Sequence, residues 1–399
     1  MKHKNIAYIN KTAIKDNYRT IEELVRENSA EKTPEIIAVV KADAYGHGIE
    51  NVAAALGDAG CHMFAVSSEE EAAELRAVEE KNGRLPDILI LSRISPENVP
   101  DMIEKNITAA VTSYDNAIAL NEAAIQFGGR LRIHIKLDTG MNRVGFSARE
   151  EDAEDTVAKI EELSHCDGLE LCGIFTHFSS ADDELMDGKL VTGFEERGGY
   201  TDMQLARFIS VVEELKSRGV DTGMVHAANS AAILTLPAAY FDAVRAGIIL
   251  YGLMPNGKTD ERFKPVMCFV STVTHIHEIK EGERVSYGAV FTATHDMKIA
   301  TVSAGYADGF ERAYSGCRVV IGGKKYRQVG RICMDQFMVD VTDADNIEVG
   351  ERAVLFGGDD GESINQLSRL AGTINYEVVC KISKRVTRTP VNEYKDIEN

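Results

Sequence analysis

Eight short apolar runs alternate with helical patterns along the first 255 residues, and that alternation limits the possible folds more than any other feature. The runs cover 35–41, 62–67, 87–92, 107–113, 131–138, 169–177, 224–229 and 243–251. Each has the length of a strand, and the intervals carry helix signals. The segment 68–80 starts on Ser68 with Glu71 three residues later, the spacing of a capping box. The segment 201–218 opens with Thr201 and Gln204, sets Leu205, Phe208, Ile209, Val212 and Leu215 on one face, and stops at Gly219. Eight strands alternating with helices predict an α/β fold, a parallel (β/α)8 TIM barrel.

After Tyr251-Gly252 the pattern changes. Valine, isoleucine and threonine rise, and turn pairs recur at Glu281-Gly282, Gly322-Gly323 and Gly357-Gly358. The alternation in 336–341 suits half-buried strands. The expected organisation is a barrel over 1–257 and a mostly-β C-terminal domain over 258–399 with a short helix near 363–372. Residues 1–10 are counted with the barrel, pairing with the β domain being the alternative for them. A chain of 399 residues accommodates both units. Its net charge of -19 argues against nucleic acid and anionic membrane as partners. The opening Met1-Lys2-His3-Lys4-Asn5-Ile6 has no apolar core of a signal peptide, and no stretch has transmembrane length. Seven scattered cysteines, none in a C-x-x-C pair, argue for reduced thiols in the cytoplasm and against a zinc site.

The run Val39-Val40-Lys41-Ala42-Asp43-Ala44-Tyr45-Gly46-His47-Gly48 places an amine at the C-terminal tip of a buried strand. Enzyme sites in barrels form at that end. A lysine at the edge of an apolar pocket can lose its proton and become a nucleophile or a Schiff-base former. A lone lysine there would read as a rim cap. Further polar residues fall at the same ends of other runs: Lys136, Asp138 and Arg143, then His177, Asn229 and Ser230, with Arg245, Gly247 and Ile248 in and after the eighth. Barrels commonly cradle a phosphate after strands seven and eight, and Ser230, Gly247 and Ile248 can supply that cradle. Each residue has a plain alternative, such as a hydrogen-bonded core histidine or a paired arginine. Together on one rim they point to chemistry.

The run from Val39 to Gly48 resembles the pyridoxal-phosphate lysine motif of the alanine racemases, and the resemblance extends end to end. It recurs in Lys136-Leu-Asp-Thr-Gly-Met, Arg143-Val-Gly, Thr176-His177-Phe178, His226-Ala-Ala-Asn229-Ser230 and Val244-Arg245-Ala-Gly247-Ile248. In the second domain it recurs in Val285-Ser286-Tyr287-Gly288, Ala304-Gly-Tyr306-Ala-Asp308-Gly309, Arg331-Ile-Cys-Met334-Asp335-Gln336 and Tyr376-Glu377-Val-Val-Cys380. The resemblance implies that Lys41 holds pyridoxal 5'-phosphate and is one catalytic base. It gives Tyr45, Ser230, Gly247, Ile248 and Tyr376 to the phosphate, His177 to the pyridine ring and Arg245 to the ring nitrogen. Tyr287 would be the second base, reaching in from the partner of a homodimer. Arg143 and the Met334 backbone would hold the substrate carboxylate. Lys136 matches a lysine that is carbamylated in the family and braces that arginine; the modified and the free amine are both compatible with the sequence. Tyr306, Arg331, Asp182 and Ile374 match positions that line the entry channel.

This pattern implies two-base racemisation of L- and D-alanine, with proton removal on one face of Cα and delivery on the other. The cofactor would delocalise the carbanion. An arginine at the ring nitrogen keeps its own proton, shortens the carbanion's life and suppresses transamination. Two departures stand out. Asn375 replaces the proline usual before Tyr376, and the glycine-bearing loop 183–200 is long. The alternatives are a serine or broader-specificity racemase, a non-catalytic pyridoxal-phosphate carrier barrel and a related decarboxylase. Tyr287 and Met334 in a second domain speak against the carrier. Arg245 speaks against the decarboxylase.

Overall fold

A computed structural model describes residues 5–29, 32–182, 199–358, 361 and 363–395. Strand β1 (Ile6–Asn10) leads into a helix over Lys11–Glu27, capped by the Asn10 Oδ1, which accepts from Ala13 N at 2.9 Å. The next strands are β2 (Glu35–Val39), β3 (Met63–Val66), β4 (Asp87–Ile90), β5 (Ile107–Val111) and β6 (Leu131–Asp138). The two-residue β7 (Phe146–Ser147) lies on the edge of β6, and β8 (Leu169–Phe175), β9 (Met224–His226) and β10 (Ala243–Ala246) follow. Parallel pairing runs β5-β4-β3-β2-β10-β9-β8-β6, and β5 also pairs with β6, which closes an eight-stranded barrel. Helices cover its outside, so β3 and β5 are buried at every residue. That double burial is why these strands read as unbroken apolar runs rather than alternating ones.

Several boundaries move inward from the sequence expectation. The run 243–251 splits into β10 and a 3-10 turn over Ile248–Tyr251, because an apolar run cannot by itself distinguish a strand from a buried helical turn. The expected helix over 201–218 spans Tyr200–Ser217 and starts from Gly199, whose N–H donates to Asp202 Oδ2 at 3.2 Å. Gln204 is not a cap: its amide bonds Thr139, Ser179 and the His177 carbonyl on the barrel rim.

The second unit contains β11 (Met267–Ile279), β12 (Arg284–Val285), β13 (Phe291–Thr292), β14 (Met297–Val302), β15 (Arg318–Ile321), β16 (Lys324–Val329), β17 (Phe337–Asp340), β18 (Arg352–Phe356) and β19 (Thr387–Val391). Its main sheet runs β14-β17-β16-β15-β18-β11-β1-β19, and a β14–β11 pairing closes part of it. Register shifts at Phe269/Val270 and Val273/His275 bend the 13-residue β11 so that it serves β1, β18 and β14. Residues 6–10 thus pair with this sheet, antiparallel to β11 and parallel to β19. Asn17 joins the two units. Its Nδ2 donates to the Leu250 and Lys264 carbonyls at 3.0 and 2.9 Å, and its Oδ1 accepts from Lys264 N at 2.8 Å. The expected helix near 363–372 is present at Ile364–Ala371, and a second one, not anticipated, spans Asn375–Cys380. Among the described residues, no helix is long and apolar enough to cross a membrane.

Candidate active site

A cavity of about 710 Å³ opens at the C-terminal ends of the barrel strands. Lys41, Tyr45, Arg143, His177, Ser230, Arg245, Gly247, Ile248 and Tyr376 all line it, as do Lys136, Asp182 and Ile374. Tyr287, Met334, Tyr306 and Arg331 do not. Tyr287 is 69% exposed and Met334 53%. These four come together elsewhere, on the second unit. Ser286 Oγ donates to the Arg331 carbonyl at 2.7 Å, Tyr306 N to Cys333 O at 3.1 Å, and Ala307 N to Met334 O at 3.0 Å. The loop 183–200 leaves Asp182 on the cavity wall, and its residues 183–198 lie outside the described ones. A second cavity, about 550 Å³, sits at the opposite strand ends beside Glu22, Glu35, His62 and Asp242. Its amine, Lys32, precedes β2 and faces three carboxylates, Glu22, Glu35 and Asp242.

Lys41 is held by an unusual turn. Ala42, Asp43, Ala44 and Tyr45 all have φ of 53–54°, in the left-handed region that non-glycine residues avoid at roughly 1–2 kcal/mol each. Such strain persists only where surrounding bonds fix it. Here Glu71 Oε1 accepts from Ala42 N at 2.7 Å, and Asp43 Oδ1 accepts from Ile49 N at 2.7 Å. Glu71, expected as half of a capping box, spends its other oxygen on Ser67 N at 2.8 Å. Burial, and then the positive Arg143, lower the Lys41 pKa, while Glu71 opposes the change.

Ser230, Gly247 and Tyr45 form a small glycine-opened recess in the same cavity wall, a geometry that can hold a phosphate. Gly247 N donates to Ser230 Oγ at 2.9 Å. A Cβ at Gly247 would stand 2.7 Å from the Tyr45 hydroxyl and 3.5 Å from Ser230 Oγ, so only glycine leaves this space open. Tyr45 in turn packs on Tyr251 and Tyr376, ring centroids 5.0 and 6.1 Å away.

Arg245 occupies the floor, 3% exposed. Its Nη2 donates to the Thr176 carbonyl at 2.6 Å and the Ala227 carbonyl at 2.9 Å, and its Nη1 lies 2.9 Å from His226 Nδ1. No carboxylate bonds it among the described residues. Burial brings its pKa down to about 9, which leaves it charged at neutral pH. Phe175 is its platform. The ring stacks on His226 at 4.9 Å and 6°, with the Arg245 guanidinium 5.4 Å and the Lys136 ammonium 5.7 Å from its centroid. Burial first, then Arg143 and Arg245, push Lys136 down to about 8. Burial and Arg245 also hold His177 well below its usual value, so it stays neutral. Asp138 shapes the neighbouring loop, accepting from Gly140 N, Asn142 N and Arg143 N at 3.0 Å each. Among the described residues, four cations and one carboxylate, Asp182, therefore line the cavity. That balance suits an anionic cofactor and a carboxylate substrate. Glu71, Phe175, His226 and His134 were not singled out as site residues from the sequence. Their roles depend on contacts made across the barrel.

The alanine racemase N-terminal domain model matches residues 9–255, and the alanine racemase C-terminal domain model matches 266–390. The chain belongs to the alanine racemase family. It is 38% identical over 392 residues to the alanine racemase of Desulforamulus reducens, covering 97% of this chain and 99% of that one. It is 42% identical over 363 residues to alanine racemase 1 of Clostridium acetobutylicum, covering 90% and 89%. The solved alanine racemase of Clostridium difficile 630 in complex with cycloserine superposes with a TM-score of 0.84 at 36% identity, covering 98% of this chain and 97% of that one. The family's two-part architecture thus extends along nearly the whole of this chain.

Proposed function

We propose that this chain interconverts L- and D-alanine as a cytoplasmic, pyridoxal-phosphate-dependent homodimer. The observation that carries this reading is the meeting, in one cavity, of a lysine with a depressed pKa, an arginine that no described carboxylate bonds, and a glycine-opened cradle beside two hydroxyls. The residues present fit the cofactor. Tyr45, Ser230, Tyr376 and the backbone of Gly247 and Ile248 would hold its phosphate, Lys41 its aldehyde carbon, and His177 and Arg245 its ring. When bound, pyridoxal phosphate supplies an electron-poor ring that accepts the electron pair released at Cα.

The protein's own groups do the rest. The Lys41 amine, disfavoured as a cation by burial, takes or returns a proton on one face of Cα. The partner subunit's Tyr287 serves the other face; its exposure and its absence from its own chain's cavity support that assignment. Arg245 holds its proton instead of giving it to the ring nitrogen, because its donors are committed to His226 and three backbone carbonyls. That suppresses transamination. Arg143 and the partner subunit's Met334 backbone would hold the substrate carboxylate. The deciding experiment is a panel of L-amino acids incubated with the purified protein, with the cofactor absorbance recorded. Alanine should racemise fastest. Preferred turnover of serine, or a protein that takes up no cofactor, would overturn the assignment.

A further inference from the structure

Asn375 is buried beside Tyr376, and its side chain spans two parts of the molecule. It is 1% exposed, it is the first residue of the helix Asn375–Cys380, and it immediately precedes Tyr376. Its Nδ2 donates to the Met254 carbonyl and to Asn365 Oδ1, each at 2.9 Å. Asn365, itself 9% exposed, donates through Nδ2 to the Lys258 carbonyl at 3.1 Å. Met254 and Lys258 lie on the segment that leaves the barrel just after Ile248–Tyr251, the turn whose first residue lines the cavity. Two buried amides therefore tie the helix that carries Tyr376 to the strand-eight end of the barrel.

We propose that Asn375 and Asn365 form a clasp that positions Tyr376, and through it sets how firmly the cavity holds a phosphate-bearing cofactor and how large an amino-acid side chain it admits. This deepens the racemase reading and rests on it. A proline would stiffen the chain at 375 but could reach nothing. The backbone would accept one, because Ile374 has φ -104° and ψ 156°, the extended conformation that precedes proline. Asn375 instead forms a cross-link. It does so although its Oδ1 meets no donor among the described residues, and a buried acceptor left unpaired is costly. The bonds made by Nδ2 are therefore what the side chain contributes. Asn375 and Asn365 are positioning residues: both act through Tyr376, and the clasp asparagines bond backbone and each other rather than substrate.

The test uses the full-length protein and the variants Asn375→Ala, Asn365→Ala, the double variant and Asn375→Pro. Two quantities are read: amide hydrogen exchange across 374–380, with β3 and β5 as internal controls, and the dissociation constant for pyridoxal phosphate titrated into apoprotein. Each alanine variant should exchange faster across 374–380 by on the order of tenfold while the barrel strands stay unchanged. Each should bind the cofactor about fivefold to tenfold more weakly and raise the serine-to-alanine ratio of kcat/KM. The double variant should be no worse than Asn375→Ala, which already removes both bonds from the helix, and Asn365→Ala, which leaves the bond to the Met254 carbonyl, should show the smaller effect of the two. Asn375→Pro should behave like Asn375→Ala. Wild-type exchange and cofactor affinity in Asn375→Ala would overturn the proposal, and so would restoration of both by Asn375→Pro, since stiffness alone would then position Tyr376. If the wild type takes up no cofactor, the racemase reading fails, and the exchange measurement alone decides the clasp.

Discussion

Arg245 Nη1 lies 2.9 Å from His226 Nδ1, and His226 Nε2 lies 2.9 Å from His134 Nδ1, all three side chains being buried. Arginine only donates, so His226 must accept at Nδ1 and carry its proton at Nε2, where His134 accepts it. Burial holds His134 down to about 3 and His226 well below its usual value, so the charge of this chain stays on the guanidinium. The barrel has placed a cation at its centre and surrounded it with neutral acceptors.

That arrangement predicts the outcome of Arg245→Glu. A carboxyl group there can share a proton with the ring nitrogen, and the His226 tautomer loses its constraint. Racemisation should fall by on the order of a hundredfold or more. Transamination should rise, measured as pyridoxamine phosphate released per turnover. A fast racemase with no such product would show that Arg245 does not control the reaction.

Lys136 makes a prediction about pH. Its pKa is lowered from 10.5 to about 8, so the folded chain binds fewer protons at this site than the unfolded chain between those values. The neutral amine, which is the form that reacts with carbon dioxide, becomes the majority species above about pH 8. Carbon-13 bicarbonate should give a carbamate signal that grows from pH 7 to pH 9 and is missing in Lys136→Met. Activity should rise with it, because the new carboxylate can pair with Arg143. A signal that does not change with pH, or one retained in Lys136→Met, would place the chemistry elsewhere.

Much of the site was legible in the sequence because barrel chemistry sits at strand ends, and strand ends can be counted. Lys41, Arg143, His177, Ser230 and Arg245 were found that way and share one cavity. What escaped were residues whose contribution depends on the partner they meet. Glu71 reads locally as a capping residue, yet its carboxylate crosses 29 positions to hold the turn after Lys41. That turn carries no glycine between Ala42 and Tyr45 to announce its left-handed backbone. Phe175 reads as the end of an apolar strand and becomes a platform for two cations only once β6, β8, β9 and β10 are adjacent. Asn375 reads in the sequence only as a departure before Tyr376, and its two bonds run to residues 121 and 10 positions away.

A shared site can be tested by subunit exchange. Tyr287 is 69% exposed and lies outside the cavity that holds Lys41. Lys41→Ala and Tyr287→Phe should each be nearly inactive alone. Their heterodimer would contain one site with both lesions and one with neither. Mixing after exchange should therefore restore up to about a quarter of wild-type activity, since half the dimers are mixed and half their sites intact. Proven exchange without recovery would mean that each site is built within one chain.

Tyr376 is expected to limit side-chain size as well as to touch the phosphate. It lines the cavity beside Tyr45, and burial, followed by Tyr45 and Asp182, raises its pKa, so the phenol remains a protonated donor. Its ring fills volume that a larger substrate side chain would need. Tyr376→Asn opens that volume and offers a hydroxymethyl group a polar partner. Discrimination by one small group is typically worth about 1–3 kcal/mol, so preference should shift without inverting completely. The variant should lose activity on alanine and raise the serine-to-alanine ratio of kcat/KM by on the order of tenfold. An unchanged ratio would move the wall to another part of the site, with the exposed Tyr306 the next residue to replace.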